Sequence, residues 1–270
     1  MEGRPAPGGA GPRPAGGPLR SGLPEPGRLP ARGDLPGQIE ESLAGSLKRL
    51  RRSSVTVLQL HNRIDPAAGG KALDLEKVLG ADGVADGLER VKEKGLARFI
   101  GLTALGDAAA AADAIASGRF DSAQVFYNLV NPSAARPMPA DWTGQSLTGI
   151  IAAAQATETA VLAIRVLAGG IIALPKRPPR VSMMTKDTDP DVEEQKAASA
   201  FRALGKNYGS RPEVGIRFAL SCPGISTVLV GIGAPAHVDT ALKAAAAGPL
   251  PEAALARLEQ VYAADFSVGA

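Results

Sequence analysis

Val55-Thr56-Val57-Leu58-Gln59-Leu60-His61-Asn62 is a short apolar run that ends on a histidine and an amide. Its length and its polar tip read as a buried strand. Outward from it the chain repeats one plan. Apolar strands are expected at residues 96–102, tipped by Thr103, and at 120–128. Two more are expected at 159–164, followed by Arg165, and at 226–230, tipped by Gly231-Ile232-Gly233. Helical spacing fills the intervals. Ile39, Leu43, Leu47 and Leu50 form one apolar stripe before the first strand. Val84, Leu88 and Val91 form another, stopped by Gly95 as a C-cap, with residues 67–70 read as a loop. An alanine-rich helix is expected from Asp107 to Gly118, and Leu147, Ile150, Ile151 and Ala154 mark the next. Further helices are expected at 192–204, at 212–220 with proline first, from Pro235, and at 252–264.

Composition narrows the class. Hydrophobic residues make up 45% of the 270, enough for a sizeable core, and aromatics only 4%, so Ala, Leu, Val and Ile must do the packing. Net charge is +3. The densest basic cluster, Lys48, Arg49, Arg51 and Arg52, falls at a helix end and lacks interleaved aromatics. It therefore reads as a dipole complement, not a nucleic-acid surface. Cys222 is the only cysteine, so no intrachain disulfide is possible, and it reads as a small core residue. No CxxC or HExxH spacing supports a metal site. No apolar run has membrane-span length and no signal-peptide core precedes residue 38. The expectation is a cytoplasmic protein with no nucleic-acid or membrane partner. Residues 1–37 are rich in Gly and Pro and have little to bury, so a disordered tail is expected there, with the domain at 38–270.

Alternating strands and helices imply a parallel sheet, open or closed into a barrel. A doubly wound sheet usually has a glycine-rich turn after its first strand. Here the first strand ends in His61-Asn62 and the glycine turn follows the last, which favours the barrel.

Several segments then resemble the aldo/keto reductase family. They are Ser46-Leu47-Lys48-Arg49-Leu50, residues 57–62, residues 95–103, Gln124-Val125-Phe126-Tyr127-Asn128, residues 164–170, and residues 227–233 with Pro235, His237 and Leu242. They occur in the family's order across about residues 40–245. The resemblance implies an α/β fold, a (β/α)8 TIM barrel, that reduces a small-molecule carbonyl with NADPH or NADH. It covers what look like the fourth to eighth barrel strands. The first three should precede Gln38, where residues 1–37 cannot encode them. An open sheet of about five parallel βα units is therefore expected, its edge covered by the N-terminal tract or by another subunit in an oligomer.

The resemblance also assigns roles. His61 matches the catalytic histidine that orients the carbonyl. Gln124 matches the glutamine that bonds the nicotinamide carboxamide. Thr103 and Ala104 stand at the usual serine–asparagine pair, and only Thr103 keeps a hydrogen-bonding side chain. Arg165 and Leu167 match a segment lining the cofactor diphosphate. Gly231 and Gly233 match the phosphate turn. His237 falls where an arginine often grips the 2′-phosphate, so no strong preference between NADPH and NADH is expected. The family's proton-donor tyrosine, with its lysine and aspartate, has no counterpart: no tyrosine precedes Tyr127 and no lysine precedes Lys48. Two readings follow, a carbonyl reductase of this kind or a catalytically inactive, truncated barrel that serves as a binding protein. A barrel enzyme of another kind, sharing only the phosphate end, is a third.

Overall fold

A computed structural model describes residues 33–177, 179 and 188–267. The first helix, α1 (Leu35–Leu50), begins where Asp34 accepts the Gly37 amide at 3.0 Å, with Pro36 in the first turn. It starts inside the segment expected to be disordered, because Leu35 and Pro36 are buried with Ile39, Leu43 and Leu47. The rest of that expectation, residues 1–32, lies outside the described residues. Lys48 and Arg49 fill the last turn of α1, the dipole-complementing place read from the sequence.

Five strands follow: β1 (Val55–Leu60), β2 (Ala97–Thr103), β3 (Ser122–Phe126), β4 (Ala160–Ile164) and β5 (Thr227–Val228). All neighbours pair in parallel, and their order across the sheet is their order in the chain. That order decides the architecture. A doubly wound sheet reverses direction at a switch point and puts helices on both faces. Sequential parallel strands joined by crossovers of one hand keep their helices on one face. The sheet therefore has the winding of a barrel wall, and the expected (β/α)8-type geometry is present as an open five-stranded part.

Side-chain burial follows from this. Ile100, Leu102, Ala123, Val125, Val161 and Ala163 are buried. They alternate with Val57, Phe99 and Leu229 on the other face, which are 39%, 37% and 40% exposed. Burying a Val, Leu or Ile side chain is worth about 1.5–3 kcal/mol, so the helix-backed face carries most of the sheet's stability. The connecting helices are α2 (Leu75–Leu79), α3 (Val84–Glu93), α4 (Ala108–Ala116), α5 (Ile150–Ala156), α6 (Pro190–Leu204), α7 (Arg211–Leu220), α8 (Pro235–Ala247) and α9 (Glu252–Ala263). The α3 helix ends as the sequence indicated, with Gly95 in the left-handed region at φ 71°.

One element was not expected, and three expectations need correction. The α2 helix lies between the loop expected at 67–70 and the next expected helix, where no element was read from the sequence; Asp74 caps it through the Lys77 amide at 2.9 Å. β5 is two residues long instead of five, since only Thr227 and Val228 pair with β4. Proline is the second residue of α7, with Arg211 first. Cys222 is only half-buried, and burial pushes its thiol up.

Candidate functional site

A parallel strand points its C-terminal end toward the loops that carry function, so the tips are where the matched residues should meet. Three of them do. His61 follows β1, Thr103 ends β2 and Gln124 lies in β3. His61 Nδ1 lies 3.0 Å from Thr103 Oγ1, and Thr103 donates to Gln124 Oε1 at 3.3 Å. Thr103 is buried and the His61 ring is exposed at the mouth. A hydroxyl has one hydrogen, and Thr103 gives it to Gln124. The His61–Thr103 contact must then run from Nδ1–H to the hydroxyl oxygen. In neutral His61 this leaves the lone pair on Nε2.

The loop after His61 is locked to the loop after Thr103. Ile64 donates to Leu105 at 2.8 Å, and Asp107 donates to Ile64 at 2.9 Å and to the Asp65 carboxylate at 3.0 Å. Gly106 makes this possible. It sits at φ 102°, and a β-carbon there would come within 2.3 Å of the Ile64 carbonyl oxygen. Sequence reasoning missed this residue; a glycine just before the capping Asp107 was the available signal. Ala104 is buried beside the group, and its amide donates to the Gln124 carbonyl at 2.9 Å.

The remaining five residues meet at a second place. Arg165, Leu167, Gly231, Gly233 and His237 line one cavity of about 480 Å³ between the β4 and β5 tips and α8. Arg165 holds a left-handed backbone, φ 59°, and its carbonyl accepts from the Asn128 amide at 3.1 Å. Desolvation lowers the pKa of its guanidinium. A β-carbon on Gly231 would meet nothing within 4 Å, so the backbone there is open to the cavity. No side chain caps the N-terminus of α8; Pro235 has no amide to give, and the His237 amide donates to the Ala234 carbonyl at 3.0 Å. His237 is used differently from an arginine gripping phosphate. Its Nδ1 accepts the Gly233 amide at 3.1 Å and so holds the glycine turn.

Tyr127 faces away from the tips. It is buried, stacks on Phe218 with ring centres 5.2 Å apart, and burial pushes its hydroxyl pKa well up. Tyr262 is also buried, its hydroxyl donating to the Leu129 carbonyl at 3.0 Å. Among the described residues no group of three or more His, Cys, Asp or Glu side chains could hold a metal ion.

A sequentially wound parallel sheet with polar strand tips and an open glycine turn defines a protein of the TIM-barrel type. The sequence model of the Aldo/keto reductase family matches residues 30–263, and the chain belongs to that family of oxidoreductases, which generally use NAD(P)H. Among curated proteins none matches the chain. Among solved structures it is similar to the aldo-keto reductase AKR11C1 from Bacillus halodurans. Against the apo form the TM-score is 0.60 at 16% identity, over 84% of this chain and 69% of that one. Against the holo form it is 0.62 at 17%, over 84% and 67%.

Proposed function

We propose that the chain binds a nicotinamide dinucleotide across its strand tips and presents a small carbonyl compound to His61, the binding part of its family's oxidoreductase reaction, in a site where the proton-donor tyrosine has no counterpart. The observation that carries this reading is convergence. Residues from β4 and from the turn after β5, far apart in sequence, surround one cavity, and its floor is open backbone beside an uncapped helix N-terminus. Such a terminus favours an anion, and Arg165 adds a guanidinium suited to phosphate. Gln124, held by Thr103, is the group for the carboxamide end. The bound cofactor would supply the hydride. This chain's part is to hold the diphosphate at the glycine turn and to orient the carbonyl at His61. With His237 turned into its own loop, NADPH and NADH should bind with similar affinity. Fluorescence titration tests this. Gly231→Asp, which the open space accommodates, should weaken both nucleotides by roughly tenfold or more by setting a like charge against phosphate. A preference of a hundredfold for NADPH would overturn the reading of His237. Equal binding by Gly231→Asp would overturn the site.

A second reading is a non-catalytic binding chain of cytoplasmic location. It draws on the open sheet. Among the described residues β1 has a strand neighbour on one side only, and an unpaired edge invites association. In this reading another subunit covers that edge. A strictly monomeric protein in sedimentation over a wide concentration range would count against it. Among the described residues no helix is long and apolar enough to cross a membrane.

A further inference from the structure

A smaller cavity of about 230 Å³ lies beside the first, across Arg165, and is walled by Phe126 from the β3 tip and by the first turn of α6. Most of its polar side chains are engaged. Asn131 donates to the Gln145 carbonyl at 2.9 Å and accepts the Ser133 hydroxyl at 2.6 Å. Thr143 donates to Asp265 at 3.2 Å, and Asp189 accepts the Asp191 amide at 2.8 Å.

Glu193 differs. It is only 6% exposed, and among the described residues its carboxyl makes no hydrogen bond or ion pair. Its neighbour on the same helix, Lys196, attracts it through charge but makes no hydrogen bond or ion pair with it. The Lys196 ammonium lies 4.2 Å over the Trp142 ring and 5.5 Å from the Phe266 ring centre, and it feels the charge of Glu193 more than that of Asp265. A buried carboxyl without a partner is costly, and glutamine or leucine would be easier to bury there. Burial pushes Glu193 up to about 7, against a weaker opposing pull from Lys196. Among the described residues the charged groups lining the cavity are Arg165, Asp189 and Glu193.

We propose that this cavity is a binding site for a compact primary-ammonium compound, whose charge is taken by Glu193 with Phe126 as the apolar wall. A carboxylate with an aromatic face is the ordinary recognition set for such a cation, and Asp189 adds a second negative group on the same wall. The site goes beyond the nucleotide reading and does not rest on it. Failure of nucleotide binding would leave it standing.

The sign of the pH dependence follows. The cation binds the ionised carboxylate, so binding displaces a proton from Glu193 near neutrality. Affinity should rise roughly tenfold from pH 6 to pH 8. A neutral hydroxyl ligand, accepting from the protonated acid, would weaken over the same range.

The test is an NMR shift titration of the whole chain with n-butylammonium chloride and, as neutral isostere, 1-butanol. At pH 8 butylammonium should bind at least tenfold more tightly than butanol, with shifts at α6 and the β3 tip. Glu193→Gln should abolish that preference and the pH dependence. The variant should stay folded. In the wild type the raised carboxyl pKa makes stability fall as pH rises from the usual glutamate range through about 7, and glutamine lacks this loss. Its melting temperature should therefore exceed wild type at pH 8. Val192→Trp, a substitution at an exposed residue lining the cavity, should block both probes. Equal affinities in the wild type, tighter butylammonium binding at pH 6, shifts elsewhere, or binding unchanged in Glu193→Gln would each overturn the proposal.

Discussion

Given NADPH and a simple aldehyde, this chain alone should consume cofactor no faster than the protein-free mixture. Hydride transfer to a carbonyl leaves an alkoxide that must be protonated as it forms. General acid catalysis of that step is worth roughly two to four orders of magnitude. At the strand tips the matched polar group is His61, and its hydrogen-bonding fixes what it can do. Thr103 gives its hydrogen to Gln124, so the Nδ1–H of His61 faces Thr103 and the neutral ring offers a lone pair at Nε2. Only the imidazolium could donate to the alkoxide. Any residual rate should therefore disappear in His61→Ala. Tyr127 cannot substitute, because it is stacked on Phe218 and buried. Turnover well above background that persists in His61→Ala would show that the proton comes from another group, and the role given to His61 would be withdrawn.

Why the barrel winding was legible while parts of the site were not comes down to the range of the interactions involved. The alternation of strands and helices follows from local patterns: apolar runs of strand length, helical stripes such as Ile39, Leu43 and Leu47, the start at Asp107 and the stop at Gly95. These signals act within one element, so they survive in a sequence read alone. The tips were legible only because the family resemblance supplied roles for His61, Thr103 and Gln124. Their contact links β1, β2 and β3, and no spacing rule reports it. Glu193 was invisible for the opposite reason. On α6 it sits next to Glu194 in what reads as an acidic first turn, a common solvated pattern. Its burial depends on Phe126 and on the loop carrying Gln145, which are remote in the chain. α2 was missed because a single helical turn is too short to establish a period.

Replacing Gly106 with valine should cost about 3 kcal/mol or more and should separate His61 from Thr103. Two effects add. The backbone at φ 102° is in a region that a β-branched residue rarely adopts, which by itself costs on the order of 1–3 kcal/mol. The new β-carbon would also come within 2.3 Å of the Ile64 carbonyl and 2.7 Å of the Asp65 carboxylate, and that carbonyl is backbone that cannot swing aside. Relief requires moving the two loops apart. That breaks the bond from Asp107 to Ile64 and the one from Asp107 to Asp65, leaving Ile64, which is fully buried, poorly packed. Set against a typical domain stability of about 5–15 kcal/mol, the change should lower the denaturation midpoint clearly without abolishing folding. The local consequence separates this glycine from an ordinary structural one. His61 is held by the loop that runs into Ile64, so its ring resonances and its Thr103 contact should change in Gly106→Val, while the cavity at Gly231 on the far side of the sheet should bind nucleotide as before. Urea denaturation with imidazole NMR checks both. An unchanged midpoint would mean that the Ile64–Gly106 contact is looser than the geometry requires. A shifted midpoint with an undisturbed His61 ring would mean that β1 positions the histidine without help from this loop.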